Sequence, residues 1–161
     1  MSEEVFARKI SEFPGSEVKI LRKGQIAVKV PNEKGHDAAV FLKKMGFIHL
    51  ASIEYVDWIK DNEFELVYNL WSYRHRLTVF LKVRIPRENP NYITFMDIWP
   101  IAQTHEREAH EMMGIVFEGN PELTPFILED WDAPPPMRKD FDPKKYVREK
   151  YDSIPFVEEE K

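Results

Sequence analysis

The sequence predicts an α+β fold: helices packed on a mainly antiparallel sheet, with a charged third helix and an extended Pro-rich C-terminal arm. Two changes of period support this. Apolar residues recur at three- and four-residue steps over 5–13, 38–45 and 101–113 and at two-residue steps over 18–30 and 47–85, which are the repeats of helix and strand. After Gly119 neither period is sustained, and seven of the twelve prolines fall between Pro121 and Pro155. The chain therefore divides into an α+β domain over 1–119, which contains the helix with Glu106-Arg107-Glu108, and an extended arm over 120–161 that is expected to wrap a partner.

The elements follow in order. Val5, Phe6, Ile10 and Phe13 share one helical face, with Ser2 available as N-cap, and Pro14-Gly15 ends that helix. Residues 18–23 and 25–30 alternate around Lys23-Gly24 as a hairpin that Pro31 closes. Ala38, Phe41, Leu42 and Met45 form a second helical stripe, and Gly46 stands where a left-handed C-cap is needed. Three successive antiparallel strands are expected over 47–59, 64–73 and 77–85; Phe64, Leu66, Tyr68 and Leu70 share a face, as do Leu77, Val79, Leu81, Val83 and Ile85. Pro86 and Glu88-Asn89-Pro90-Asn91 break the pattern, and Tyr92–Phe95 is a further short extended piece. Trp99-Pro100 opens the third helix, which runs to Met113 and stops at Gly114.

Composition narrows the function. With 161 residues the chain is long enough for one core, and 43% hydrophobic with 32% charged residues describes a folded, well-solvated protein. It has no cysteine, so disulfides, thiolate-ligated iron–sulfur clusters, cysteine-ligated nickel–iron centres and thiol nucleophiles cannot reside in it. Apolar runs such as Ile98–Ala102 fall far short of the roughly 20 residues that cross a bilayer. No basic leader followed by an apolar run opens the chain, so secretion is not expected. A net charge of −5 and a pI of about 5.6 lack the basic footprint for nucleic acid. Plentiful Lys and Glu, with Gln only at Gln25 and Gln103, hint at a thermophilic source.

Three readings compete for the third helix. A zinc hydrolase needs His-Glu-x-x-His, but His105 and His110 lie five apart, about 140° around the helix, and Ala109 stands where the second histidine belongs. A solvated helix would pair Glu106 with His110 and Arg107 with Glu111 across one turn. Its apolar stripe is narrow: Ile101, Ala102, Ala109, Met112 and Met113. The third reading rests on resemblance. Glu106-Arg107-Glu108-x-x-Glu111-Met112-Met113-Gly114-Ile115-x-Phe117 resembles, in order and spacing, the signature of the 30-kilodalton subunit family of respiratory complex I. Trp99, Ala102, Gly119, Pro121 and Leu123 look like the same family. The likeness covers roughly 64–141. In physical terms, such a run on a helix suggests a partly buried ion-pair network that specifies a partner rather than adding stability.

Pro134-Pro135-Pro136 sets a short polyproline II rod, which alone reads as a stiff linker or a ligand for an aromatic groove. The string Pro136-Met137-Arg138-Lys139-Asp140-Phe141, however, resembles the family's Pro-Leu-Arg-Lys-Asp-Tyr/Phe element, placed after the helix signature as the family has it. Arg138 is expected to cross to a partner as a bidentate donor, with Asp140 as its local balancing charge, and Glu158-Glu159-Glu160 as a solvated tail. The chain departs from the pattern at Asn120, where the family usually has histidine, and over Leu123–Leu128. These departures fit the versions found in membrane-bound, energy-converting nickel–iron hydrogenases and similar archaeal complexes.

The resemblance implies a scaffold subunit with no catalytic residue, cofactor or metal of its own. Iron–sulfur clusters, and in a hydrogenase the nickel–iron centre, would sit in partner subunits. It implies docking on a hydrogenase-like large subunit and a neighbouring iron–sulfur subunit, on the cytoplasmic side of the membrane, with only indirect contact to the membrane arm. The residues implied at the partner interface are Glu106, Arg107, Glu108, Glu111, Pro136, Arg138, Lys139 and Asp140. The parent complex would be a membrane-bound hydrogenase that couples hydrogen evolution to ion translocation, or else an NADH/quinone or sulfur-reducing complex. A free-standing metal hydrolase using His105, Glu106 and His110, and a stand-alone binding module whose arm folds onto itself, are the readings from other classes.

Overall fold

The computed structural model describes residues 3–151. The suggested cap Ser2 and the acidic run Glu158–Glu160 lie outside them. A five-stranded sheet is formed by β1 (Glu17–Arg22), β2 (Gln25–Val30), β3 (His49–Trp58), β4 (Glu63–Ser72) and β5 (Leu77–Pro86). Its order is β1-β2-β5-β4-β3. All neighbours are antiparallel except β2 and β5, which run parallel with Ile26 opposite Val79 and Val30 opposite Val83. The architecture is thus α+β with a mainly antiparallel sheet, and the parallel seam at its centre is the part that the strand periods did not foretell.

One face of the sheet is packed. Ile26, Val28 and Val30 of β2, the run from Leu77 to Ile85 on β5, and Phe64, Leu66, Tyr68 and Leu70 on β4 form the buried core. Helix α1 (Glu3–Ser11) lies against β1 and β2, α2 (Gly35–Lys44) against β5, and α3 (Ala102–Met113) against β3. Gly24 and Gly46 adopt positive φ, +78° and +99°, where the hairpin turns and where α2 ends. The alternate positions of β4 and β5 carry Glu65, Lys82 and Arg84, which pair with one another on the opposite face.

Of the short elements, the extended piece expected over Tyr92–Phe95 is present as a strand shifted slightly earlier, whereas the strand that follows the third helix was not expected. β6 (Asn91–Ile93) and β7 (Val116–Glu118) pair in parallel as a separate two-stranded sheet, closing the chain around α3. The arm contains α4 (Pro143–Lys150), so it is not extended throughout. Asp142 accepts the N–H groups of Lys144 and Lys145, and Pro143 occupies the first turn, where its missing N–H costs nothing.

Candidate partner-docking site

Ala102, Glu106, Ala109 and Met113 form the buried seam of α3. Ile101, expected in that seam, is exposed, and Glu106 takes the inward place. A carboxyl in a core needs donors. Glu106 Oε2 accepts from Thr94 Oγ1 at 2.6 Å and from Asn120 Nδ2 at 2.9 Å, and Oε1 accepts the Phe95 N–H at 2.7 Å. Asn120 in turn accepts the Glu122 N–H. One side chain therefore ties α3 to the turn after β6 and to the chain leaving β7. Burial raises its pKa; the bonds from Thr94, Phe95 and Asn120 oppose the rise, while the Asp97 charge adds to it. Its partners are neutral, so the ion-pair network suggested by the Glu-Arg-Glu run does not include Glu106 among the described residues.

Arg107 and Glu111 do not form the expected helical pair. Both reach across to the arm instead. Arg107 donates from Nε to the Thr124 carbonyl at 2.8 Å and from Nη2 to the Pro125 carbonyl; its guanidinium lies 5.1 Å from the Phe126 ring centre. Glu111 receives three consecutive backbone N–H groups, from Phe126, Ile127 and Leu128, at 3.0, 2.8 and 3.0 Å. Burial alone would raise the Glu111 pKa, but these three donors and the Arg107 charge hold it below the ordinary carboxylate value.

Glu108 faces β3, where the Tyr55 hydroxyl approaches it at 3.4 Å; burial first, then the Glu108 charge, push the Tyr55 phenol up to about 12. His110 bonds the Ile115 carbonyl through Nδ1 rather than meeting Glu106. His105 is half-buried, and burial lowers its pKa against the raising effect of Glu108. Among the described residues no group of three or more His, Asp or Glu is placed to hold a metal.

The Pro136–Asp140 element is laid along the same domain. The Met137 N–H bonds the Met112 carbonyl at 3.0 Å, and Arg138 Nε bonds the Met113 carbonyl at 2.7 Å, satisfying acceptors that the end of α3 leaves free. The Arg138 guanidinium sits 5.2 Å from the Phe64 ring centre. The Lys139 N–H bonds Asp57 Oδ2 at 2.9 Å. Asp57, buried on β3, also takes a fork from Arg87, Nε to Oδ1 at 3.0 Å and Nη2 to Oδ2 at 3.2 Å, and Arg87 Nη2 reaches Asp140 at 2.6 Å. Arg87 is thus the hydrogen-bonded partner of Asp140, whose pKa is lowered first by that bond and further by the Arg138 charge. In the single chain Arg138 is engaged by its own domain, while the Lys139 side chain stays exposed and Pro136 half-buried.

Sequence reasoning missed Asp57, Arg87 and Phe64 as anchors of the arm. The signal was Asp57 itself, in phase with the inward residues Ile53 and Tyr55 of β3. A carboxylate at a buried strand position needs hydrogen-bond donors or a cation brought to it by the fold. Between α3 and the arm a cleft of about 500 Å³ is lined by His110, Glu111, Gly114, Leu128, Trp131 and Pro135.

The pattern of the family described as respiratory-chain NADH dehydrogenase, 30 Kd subunit, matches residues 28–147. The chain belongs to this 30 Kd subunit family. It is 35% identical over 124 residues to a subunit of the F(420)H(2) dehydrogenase of Methanosarcina mazei, covering 73% of this chain and 76% of that one. It is 37% identical over 123 residues to a subunit of the NADH-quinone oxidoreductase of Roseiflexus castenholzii, 73% of this chain and 70% of the relative. Among solved structures it resembles a chain of the membrane-bound sulfane sulfur reductase, an archaeal respiratory membrane complex. That TM-score is 0.89 at 35% identity, over 99% of this chain and 96% of the other. A trypsin-resistant fragment of Nqo5 matches with a TM-score of 0.66 at 30% identity, covering 76% of this chain and all of the fragment. Relatives of this 30 Kd subunit family member are thus subunits of multi-subunit respiratory complexes. No helix among its described residues is long and apolar enough to cross a membrane.

Proposed function

We propose that this chain is a non-redox scaffold subunit of a membrane-bound respiratory oxidoreductase, held peripherally on the cytoplasmic side by its partners. The observation that carries the reading is the end-to-end likeness to a chain of an archaeal respiratory membrane complex, arm included. The absence of cysteine supports the non-redox role, since clusters held by thiolates must then belong to neighbours. Partners are proposed to be a hydrogenase-like large subunit and an adjacent iron–sulfur subunit. Glu108, Pro136, Lys139 and Asp140 offer surface to them, and Glu106, Arg107, Glu111 and Arg138 set the course of the arm from beneath.

For the parent complex, a membrane-bound nickel–iron hydrogenase coupling hydrogen evolution to ion translocation is one reading, favoured by the departures at Asn120 and 123–128. A sulfur-reducing complex is the other, favoured by the likeness to the sulfane sulfur reductase chain. Affinity purification of this chain in mild detergent, with identification of co-purifying proteins and quantification of iron and nickel, tests both levels. Recovery of a hydrogenase-like large subunit with cluster-bearing and membrane chains is expected; stoichiometric nickel selects the hydrogenase, and iron without nickel the other complex. Recovery of the chain alone refutes the scaffold role.

A further inference from the structure

Among the described residues the arm carries a small folded unit whose helix α4 has no buried residue. The rings of Trp131, Phe141 and Tyr146 meet at centre distances of 5.1 to 5.9 Å. Asp132 accepts from the Tyr146 hydroxyl at 2.6 Å and from Lys150 Nζ at 2.7 Å. These contacts fix α4 to the preceding turn. Ordering eight residues as a helix costs backbone entropy that a passive linker does not need to give up.

The unit carries an excess of positive charge over its own carboxylates. Residues 138–150 hold six cations and three anions in a chain whose net charge is −5. On α4, Lys144, Lys145 and Arg148 are exposed. Lys144 and Arg148 have no ion pair among the described residues, and Lys145 meets Glu149 only at 3.9 Å. Val147 and Tyr151, one turn apart, are exposed beside them. Cations around two apolar tips match a protein surface with carboxylates around an apolar centre. A bilayer fits less well, because the apolar face has two side chains and Glu149 and Asp142 would meet anionic headgroups.

We propose that α4 is a docking helix for an acidic surface on a neighbouring subunit of the parent complex, with Lys144, Lys145 and Arg148 as the contact cations. This rests on the scaffold reading above. The test treats the detergent-purified complex with a carbodiimide, which joins lysine amines to carboxylates in contact, and maps the links by mass spectrometry. A tagged full-length Lys144→Glu, Arg148→Glu variant is purified in parallel. Links from Lys144 or Lys145 to Asp or Glu of another subunit are expected, with the variant retaining about tenfold less of that subunit. Co-purification of all subunits with no such link and undiminished retention by the variant overturns the docking helix while leaving the scaffold reading standing. Links confined to this chain's own Glu158–Glu160 overturn it too. So does co-sedimentation of the full chain with phosphatidylglycerol vesicles, lost in the variant, without an inter-subunit link; that result assigns α4 to a lipid surface. Failure of any subunit to co-purify brings down both readings.

Discussion

Replacing Glu106 tests whether one buried carboxyl organises the α3 region. In Glu106→Ala the Phe95 N–H, fully enclosed, loses its acceptor, at about 2 kcal/mol for an orphaned buried donor. Thr94 and Asn120 are partly buried and can turn toward water, so each loses roughly 0.5–1 kcal/mol. A small void beneath α3 adds to this, for a total of about 3–4 kcal/mol, a large part of the stability of an ordinary domain. Glu106→Gln keeps the shape but must set its NH₂ against one of the donors, at about 1–2 kcal/mol. Urea unfolding at neutral pH measures both. The pH dependence carries a sign. Because the folded-state pKa of Glu106 is raised, its contribution is full below the unfolded value near 4.5 and is lost as pH rises through the folded value. The deficit of the Gln variant therefore widens as pH is lowered. An Ala variant within about 0.5 kcal/mol of the parent, or a deficit that narrows on acidification, refutes the reasoning.

Three further outcomes follow from the arm and the core. Glu111→Gln removes the charge that receives three N–H groups; hydrogen exchange at Phe126, Ile127 and Leu128 should rise about tenfold or more, with global stability little changed. In the parent protein that protection is present above the ordinary carboxylate value and is lost as pH falls through the depressed pKa of Glu111. Arg87→Ala strands the buried Asp57 and should cost about 3–5 kcal/mol in denaturant melts; a loss under about 1 kcal/mol would show that Lys139 and solvent suffice. Gly35→Ala drives a Cβ into the Tyr92 hydroxyl and sets it 2.9 Å from Val83 Cγ2, costing about 2 kcal/mol. Tyr92→Phe in the same chain should recover part of that loss.

The sheet strands and the first two helices were legible because each shows one clean period. The β2–β5 pairing was not, because nothing local in Ile26–Val30 distinguishes a parallel neighbour from an antiparallel one. β6 was anticipated as a short extended piece, but β7, three residues long, is too short to show a period. Helix α4 carries a readable start in Asp142-Pro143, a cap followed by a first-turn proline, which the surrounding prolines obscured. At the candidate site, the Glu-Arg-Glu run marked the right segment, but its chemistry was misjudged: Glu106 reads as solvated until Thr94, Phe95 and Asn120 are brought to it by the fold. Charges on a helix do not declare whether water or backbone will satisfy them.

The parallel seam also dictates an order of assembly. β1–β2 and β3–β4–β5 are each wound locally through tight turns, whereas Val28 meets Leu81 only after α2 and a long intervening stretch have been folded back. Closing that distance carries a loop-entropy cost that the local hairpins avoid, one shared by other distant contacts such as Tyr92 to Asn32 and Trp99 to Ile48. Shortened side chains in the β3–β4–β5 meander should slow folding, while those at Val28 or Leu81 should chiefly hasten unfolding. A chain with one late-closing seam has, before it closes, two sheet edges exposed toward each other, and it is there that misassembly with a second copy would begin.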